Sequence, residues 1–285
     1  MATLEVGLLV ASTVTLGAPL ILAALGGLTS ERSGVMNIAL EGTMLASACT
    51  VAIVGVKSQN PWVALLAGLT VGIVAMLIHA VLTQAFAIDQ IISGMSINAL
   101  AIGGTSFLSK SLLDGAGDTR APYLPVAAYW VMAALAVAWF AVLLKHTRTG
   151  VHLLAVGNDP EKSRQMGLNP VKVRYKALVS TGVLCGLAGS LIVSNSGNFT
   201  ENMTAGRGYI ALAALIIGGW RPVPTLVACG VFGLIQAIQL HFQGTQLAGS
   251  NVPPEFWNSL PYVVTLVALA GLLGKSKAPA GLGKP

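Results

Sequence analysis

Residues 6–28 run without a single charged side chain, and comparable apolar stretches recur to the end of the chain. A helix needs about 20 mostly apolar residues to cross a bilayer. The stretches that meet or approach this length are residues 6–28, 38–56, 62–87, 91–108, 126–144, 177–194, 208–220, 223–241 and 260–273. Only 9% of residues are charged, against roughly 25% in a soluble domain, so the chain lacks a polar coat for water. The expected fold is an all-α, polytopic integral membrane protein with about nine transmembrane helices, forming one transmembrane domain over residues 1–285. The shortest stretch, 208–220, would reach only about 20 Å at ~1.5 Å per residue. It reads as a broken or re-entrant segment, tolerated in lipid only where protein or a watery cavity surrounds it. Trp62, Trp130, Trp220 and Trp257 lie near stretch ends, where indole rings favour the headgroup layer.

Charge gives the chain a direction. Lys145, Arg148, Lys162, Arg164, Lys172, Arg174 and Lys176 are seven of its sixteen Lys and Arg residues and fall in one stretch, 145–176. That bias marks a cytoplasmic loop, and Lys275, Lys277 and Lys284 mark a cytoplasmic tail. Four apolar stretches separate the two, an even number as required, and five precede the loop, which sets the N-terminus outside. The net charge of +6 therefore faces lipid headgroups and cytoplasm, and no nucleic-acid partner is expected. The N-terminal MATLE has no basic segment before its long apolar run, so that run reads as a retained span. Cys49, Cys185 and Cys229 are far apart inside apolar runs and read as small packing residues, not as disulfide or metal ligands.

The basic loop holds a helix of its own. Asn158 or Asp159 can accept a hydrogen bond from a first-turn N–H, Pro160 suits the first helical position, and Glu161 favours the positive end of the dipole. The helix should run over 160–166, through Lys162, Ser163, Arg164, Gln165 and Met166, and stop at Gly167, where a missing Cβ permits a left-handed cap. So short a helix is marginal alone in water. It needs a docking surface, offered either by a soluble partner or by its own membrane domain.

Polar residues inside the apolar stretches are the other candidates. Glu31 and Arg32 mark a polar break, Asn37 can cap the next helix, and Glu41 lies one turn into it. A carboxylate there costs about 2.5 kcal/mol or more at the bilayer centre, so it has either a pathway role or a structural one. The segment 34–40, GVMNIAL, is echoed by 206–212, GRGYIAL, each after a polar break. Interrupted helices at matching positions of a repeat point to a transport pathway. Ser93, Ser96 and Asn98 give another stretch a polar face, and Gln236 and Gln239 lie three apart on one helix; each set suits helix–helix bonding or pathway lining. His79, His146, His152 and His241 have no metal-ligand spacing, and no nucleophile elbow, phosphate loop or paired carboxylates stand out. No catalytic or metal residue is expected.

Two blocks carry a resemblance: residues 26–44, GGLTSERSGVMNIALEGTM, and residues 155–192, AVGNDPEKSRQMGLNPVKVRYKALVSTGVLCGLAGSLI. On these, and over nearly its whole length, the chain resembles the permease subunits of ABC importers for nucleosides and simple sugars, related to branched-chain amino-acid permeases. Residues 203–222, MTAGRGYIALAALIIGGWRP, are similar to the nucleoside branch, and Val35-Met36-Asn37-Ile38 departs from the acidic motif of the sugar permeases. The resemblance implies import of nucleosides across a bacterial-type inner membrane. It implies a coupling segment, Asp159 to Gly167, docked on separate ATPase subunits that bind the ATP, so this chain holds no cofactor itself. It also implies a second, related permease chain and an extracytoplasmic substrate-binding protein. Simple-sugar or branched-chain amino-acid import is the alternative within the family. Ion-coupled secondary transport is the alternative outside it, and for that the chain offers only Glu41 and Asp89.

Overall fold

The computed structural model describes residues 2–113, 121–243, 246–247, 250–251, 253–272 and 277–284. Leu273, the expected end of the last stretch, and Lys275 lie outside them. The helices are α1 (Ala2–Arg32), α2 (Leu40–Ser58), α3 (Pro61–Gln84), α4 (Gln90–Leu112), α5 (Val126–His146), α6 (Arg148–Asn158), α7 (Pro160–Gln165), α8 (Pro170–Ser196), α9 (Arg207–Ile217), α10 (Pro222–Phe242) and α11 (Pro254–Leu272). Two short strands, Gln246–Leu247 and Ser250–Asn251, pair antiparallel in the α10–α11 connection. Among the described residues, α1 to α5, α8 and α10 are the 7 helices long and apolar enough to cross a membrane. The expected all-α, multi-pass class therefore holds.

The centre is built from α1, α2 and α8. Leu22, Leu25, Met44, Ala48, Cys185, Ala188 and Leu191 are buried there, and all three cysteines are buried and free. Lipid tails are as apolar as leucine, so packing rather than hydrophobicity holds such helices together, and small residues let them approach closely. The outer helices keep large apolar side chains exposed, such as Leu66 on α3, Leu100 on α4, Leu135 on α5 and Val227 on α10.

Several boundaries differ from the expected ones, each for a physical reason. α1 continues through Glu31 and Arg32, because both side chains find partners on the segment after α9; the break falls at residues 33–39. Asn37 does not cap α2, which opens at Ala39; its Oδ1 accepts from Ala39 N at 3.1 Å and its Nδ2 reaches Ser30 Oγ and Met76 Sδ. α8 begins at Pro170, where Asn169 Oδ1 accepts from Lys172 N at 3.1 Å, so Lys172, Arg174 and Lys176 stand on a helix and not in a loop. α6 was not expected. It starts at Thr147, whose Oγ1 accepts from Gly150 N, and it buries Leu153 and Val156. Trp220 and Trp257 are buried in protein, whereas Trp62 is exposed.

Candidate functional site

The helix ends on either side of the α1–α2 break grip α9 at both ends. At the start, Gly206 N donates to Glu41 Oε1 at 2.7 Å and Gly208 N to Glu41 Oε2 at 2.6 Å. Glu41 is only 2% exposed, and it supplies both a cap and a negative charge to the positive end of α9. Gly208 is needed for this approach, since a Cβ there would stand 2.5 Å from Glu41 N. At the far end, Trp220 Nε1 donates to Glu31 Oε2, and Arg32 Nε donates to Trp220 O at 2.7 Å. α9 has 11 residues, about 16 Å of helix, roughly half the hydrocarbon core.

Asn98 on α4 closes the junction from the side. Its Oδ1 accepts from Gly42 N at 2.8 Å, and its Nδ2 donates to Ile38 O at 2.9 Å and Tyr209 Oη at 3.0 Å. One amide thus joins α4, the break, α2 and α9. Ser93, five residues earlier, is buried and meets His79 Nδ1 at 2.9 Å; His79 Nε2 lies 3.2 Å from Met36 O. The carbonyl requires a proton on Nε2, so Nδ1 accepts from the serine hydroxyl. Ser96 is not part of this group: it is exposed and donates to Ile92 O of its own helix. Asp89 is the cap of α4, its Oδ1 accepting from Ile91 N and Ile92 N.

Gln236 and Gln239 line a separate cavity of about 390 Å³ between α1, α9, α10 and α11, together with Arg207, Asn258 and Tyr262. Gln239 Nε2 bonds Asn258 Oδ1 at 2.9 Å. Gln236 is 7% exposed, and its Oε1 has no hydrogen-bond partner among the described residues. Arg207 also lines an adjoining cavity of about 430 Å³ with Asn195 and Ser196. Its Nη1 donates to Met203 O at 2.9 Å. Arg207 and His79 were not singled out from the sequence. An arginine inside the echoed segment was the available signal for the first.

The loop segment folds much as its capping signals dictate. Asp159 Oδ1 accepts from Lys162 N at 3.0 Å, and the helix covers Pro160–Gln165, one residue short of the expected 166. Gly167 follows at φ +83°, the left-handed cap. The Lys162 N–H, with the lysine side chain also contributing, holds the Asp159 carboxyl below the usual carboxylate range. Glu161, Lys162, Arg164, Gln165 and Met166 are exposed, Met166 at 82%, while Ser163 is buried and bonds Asp159 O. α7 therefore rests on one serine and presents its charged face and a large apolar side chain outward.

A half-length helix capped inside a bundle of long apolar helices is an arrangement that membrane transporters use around their pathways. Residues 9–269 match the family described as branched-chain amino acid transport system, permease component; the chain belongs to that family and is a transport component, not an enzyme. It is 34% identical over 308 residues to the guanosine ABC transporter permease protein NupQ of Bacillus subtilis, covering 98% of this chain and 96% of that protein. It is 31% identical to the nucleoside ABC transporter permease protein NupC of Lactococcus lactis, covering 97% and 95%. In fold it is similar to a metal-chelate type ABC transporter in an inward-facing conformation, with TM-score 0.56 and 13% identity over 93% of this chain and 85% of the other.

Proposed function

We propose that the chain is the permease subunit of a nucleoside importer. The observation that carries this reading is identity along nearly the whole length to two permeases named for nucleosides. Nine crossings fit the fold: seven long helices, α11, and a composite of residues 197–206 with α9. The N-terminus is then outside and the C-terminus cytoplasmic. The tail lies against the basic loop, Gly281 N bonding Gly157 O at 2.9 Å, which supports an even number of crossings between them. The echoed segments 34–40 and 206–212 are read as matching positions of an internal repeat, and Glu41, next after the first, accepts from Gly206 N and Gly208 N of the second.

In this reading residues 1–285 form one domain, and the coupling loop expected over 145–176 is the α5–α8 connection, residues 147–169, with α6 and α7 inside it. Asp159, Pro160, Glu161, Lys162, Ser163, Arg164, Gln165, Met166 and Gly167 contact a separate ATPase, which binds the ATP; this chain holds no cofactor. A second, related permease and an extracytoplasmic binding protein complete the importer. Gln236 and Gln239 line the pathway, and Ser96 faces it or the second permease. Asn37, Glu41, Ser93 and Asn98 act on the pathway through the frame, because their polar atoms are taken up within the protein. The cavity beside Gln236 has the volume of a small-ligand site. ATP binding shifts an equilibrium between outward- and inward-open states, and the loop carries the bias.

The test is to purify the assembled importer and ask which ligand protects its binding protein against heating. Nucleosides should do so, and ribose or leucine should not. Protection by a sugar or amino acid alone would replace the substrate while leaving the permease assignment intact.

A further inference from the structure

We propose that Arg174 and the segment 281–284 form a positioning strap, which makes the loop helix move together with the α1–α2 break. The segment lies between three parts of the fold. Gly281 N donates to Gly157 O at 2.9 Å, at the α6–α7 junction. Gly283 N donates to Gly34 O at 3.1 Å, in the break itself. Lys284 O accepts from Arg174 Nη2 at 2.8 Å, on α8. Leu282, between these bonds, packs on the main core.

Arg174 makes this a joint and not a loose contact. It is 1% exposed, and two more of its N–H groups go to Gln84 Oε1 at 2.9 Å, at the end of α3, and to Ser33 O at 3.4 Å. The ion pairs among the described residues are Lys110–Glu201, Lys162–Asp159 and Arg164–Glu161; none includes Arg174. A buried guanidinium without a carboxylate depends on neutral oxygens, and the strap provides one of its three. The planar fork reaches all three at once, which a lysine ammonium cannot do from one position. A shift of Gly157 is thus passed to Gly281, and from there to Gly34 and Arg174. Gly34 begins the segment that leads to Glu41 and so to the start of α9. Gly157 itself also lies against Arg32 O and Gly34 N, so the strap runs beside a direct backbone contact of the α6–α7 junction with the break and ties that contact to Arg174.

The inference rests on the reading of α7 as the ATPase contact, and the test separates the two. Three variants of the assembled importer are compared for ATPase co-purification, ATP hydrolysis and uptake. The first lacks residues 279–285. The second, Gly281→Val, keeps the full chain but puts side-chain atoms where a Cβ already stands 2.8 Å from Gly157 O and 3.0 Å from Pro160 Cδ. The third, Glu161→Pro, disturbs α7 itself. In the two strap variants ATPase binding and hydrolysis should persist, while uptake per ATP hydrolysed falls about tenfold, the scale of one lost charge-assisted hydrogen bond. Glu161→Pro should instead lose the ATPase. An unchanged uptake-to-hydrolysis ratio in both strap variants overturns the strap alone. Full uptake by Glu161→Pro overturns the reading of α7. Absence of both strap variants from the membrane also overturns the strap, since the segment would then serve folding and not transmission.

Discussion

Glu41 and Asp159 perform the same chemical task in opposite surroundings. Each carboxylate caps the start of a helix, α9 for Glu41 and α7 for Asp159. Glu41 is 2% exposed, and the Asp159 side chain is 42% exposed. If Asp159 is lost, water reaches the freed N–H. If Glu41 is lost, the buried N–H of Gly208 is left without a partner. One motif thus fixes the frame in the membrane and leaves a yielding contact on the loop.

The sharpest way to break this comparison is to remove the buried cap. Glu41→Ala strands the N–H groups of Gly206 and Gly208, at about 1–3 kcal/mol each when buried and unpaired. The assembled permease should then lose most of its yield in membranes and melt well below the parent in detergent. Glu41→Gln keeps one acceptor but turns an NH₂ toward a donor, so it should fall between the two. If Glu41→Ala is made and melts normally while uptake is lost, Glu41 belongs to the pathway and not to the frame.

Asn98 offers the next largest effect. Asn98→Leu leaves Gly42 N and Ile38 O without their partner, at about 1–3 kcal/mol for each that is buried, but these bonds are neutral whereas those of Glu41 are charge-assisted. Thermal stability should drop measurably yet less than for Glu41→Ala. Tyr209→Phe should reproduce only the small part that belongs to its hydroxyl. A loss in Tyr209→Phe as great as in Asn98→Leu would show that α4 is tied to α9 and not to the break.

What could be read from the sequence follows the same division. The α7 cap was legible because Asp159, Pro160 and Glu161 act within one turn of one another. Most membrane stretches were legible because lipid imposes a length and forbids charge. The Glu41 cap joins residues 165 positions apart, and no local pattern reports its partner. The same holds for Arg174, whose contact with Gln84 spans 90 positions. Counting basic residues made it a mark of the cytoplasmic side, whereas packing makes it a buried clamp. α6 was missed because its stretch RTGVHLLAVGN mixes two glycines and polar residues into a short amphipathic turn pattern. Its stability comes from seating Leu153 and Val156 on the bundle.

The smallest effect belongs to Asp159, and pH supplies a second way to measure it. Its folded pKa is depressed, so its contribution is fully present above the ordinary carboxylate value of about 3.9 and is lost only as pH falls through the lower, folded value. From about pH 6 to about pH 8 the cap is therefore constant, and ATPase binding should show no pH dependence from this group. Asp159→Ala should weaken that binding only a few-fold, because Pro160 still fixes the first turn and Ser163 remains seated. Membrane yield should not change. Asp159→Asn keeps an oxygen acceptor for Lys162 N and should sit closer to the parent than alanine does. Binding affinity of the ATPase, followed across the three proteins and across pH, tests the loop as a yielding contact. If Asp159→Ala lowers membrane yield as Glu41→Ala does, the two caps share one structural role, and exposure does not set the stake of a cap in this fold.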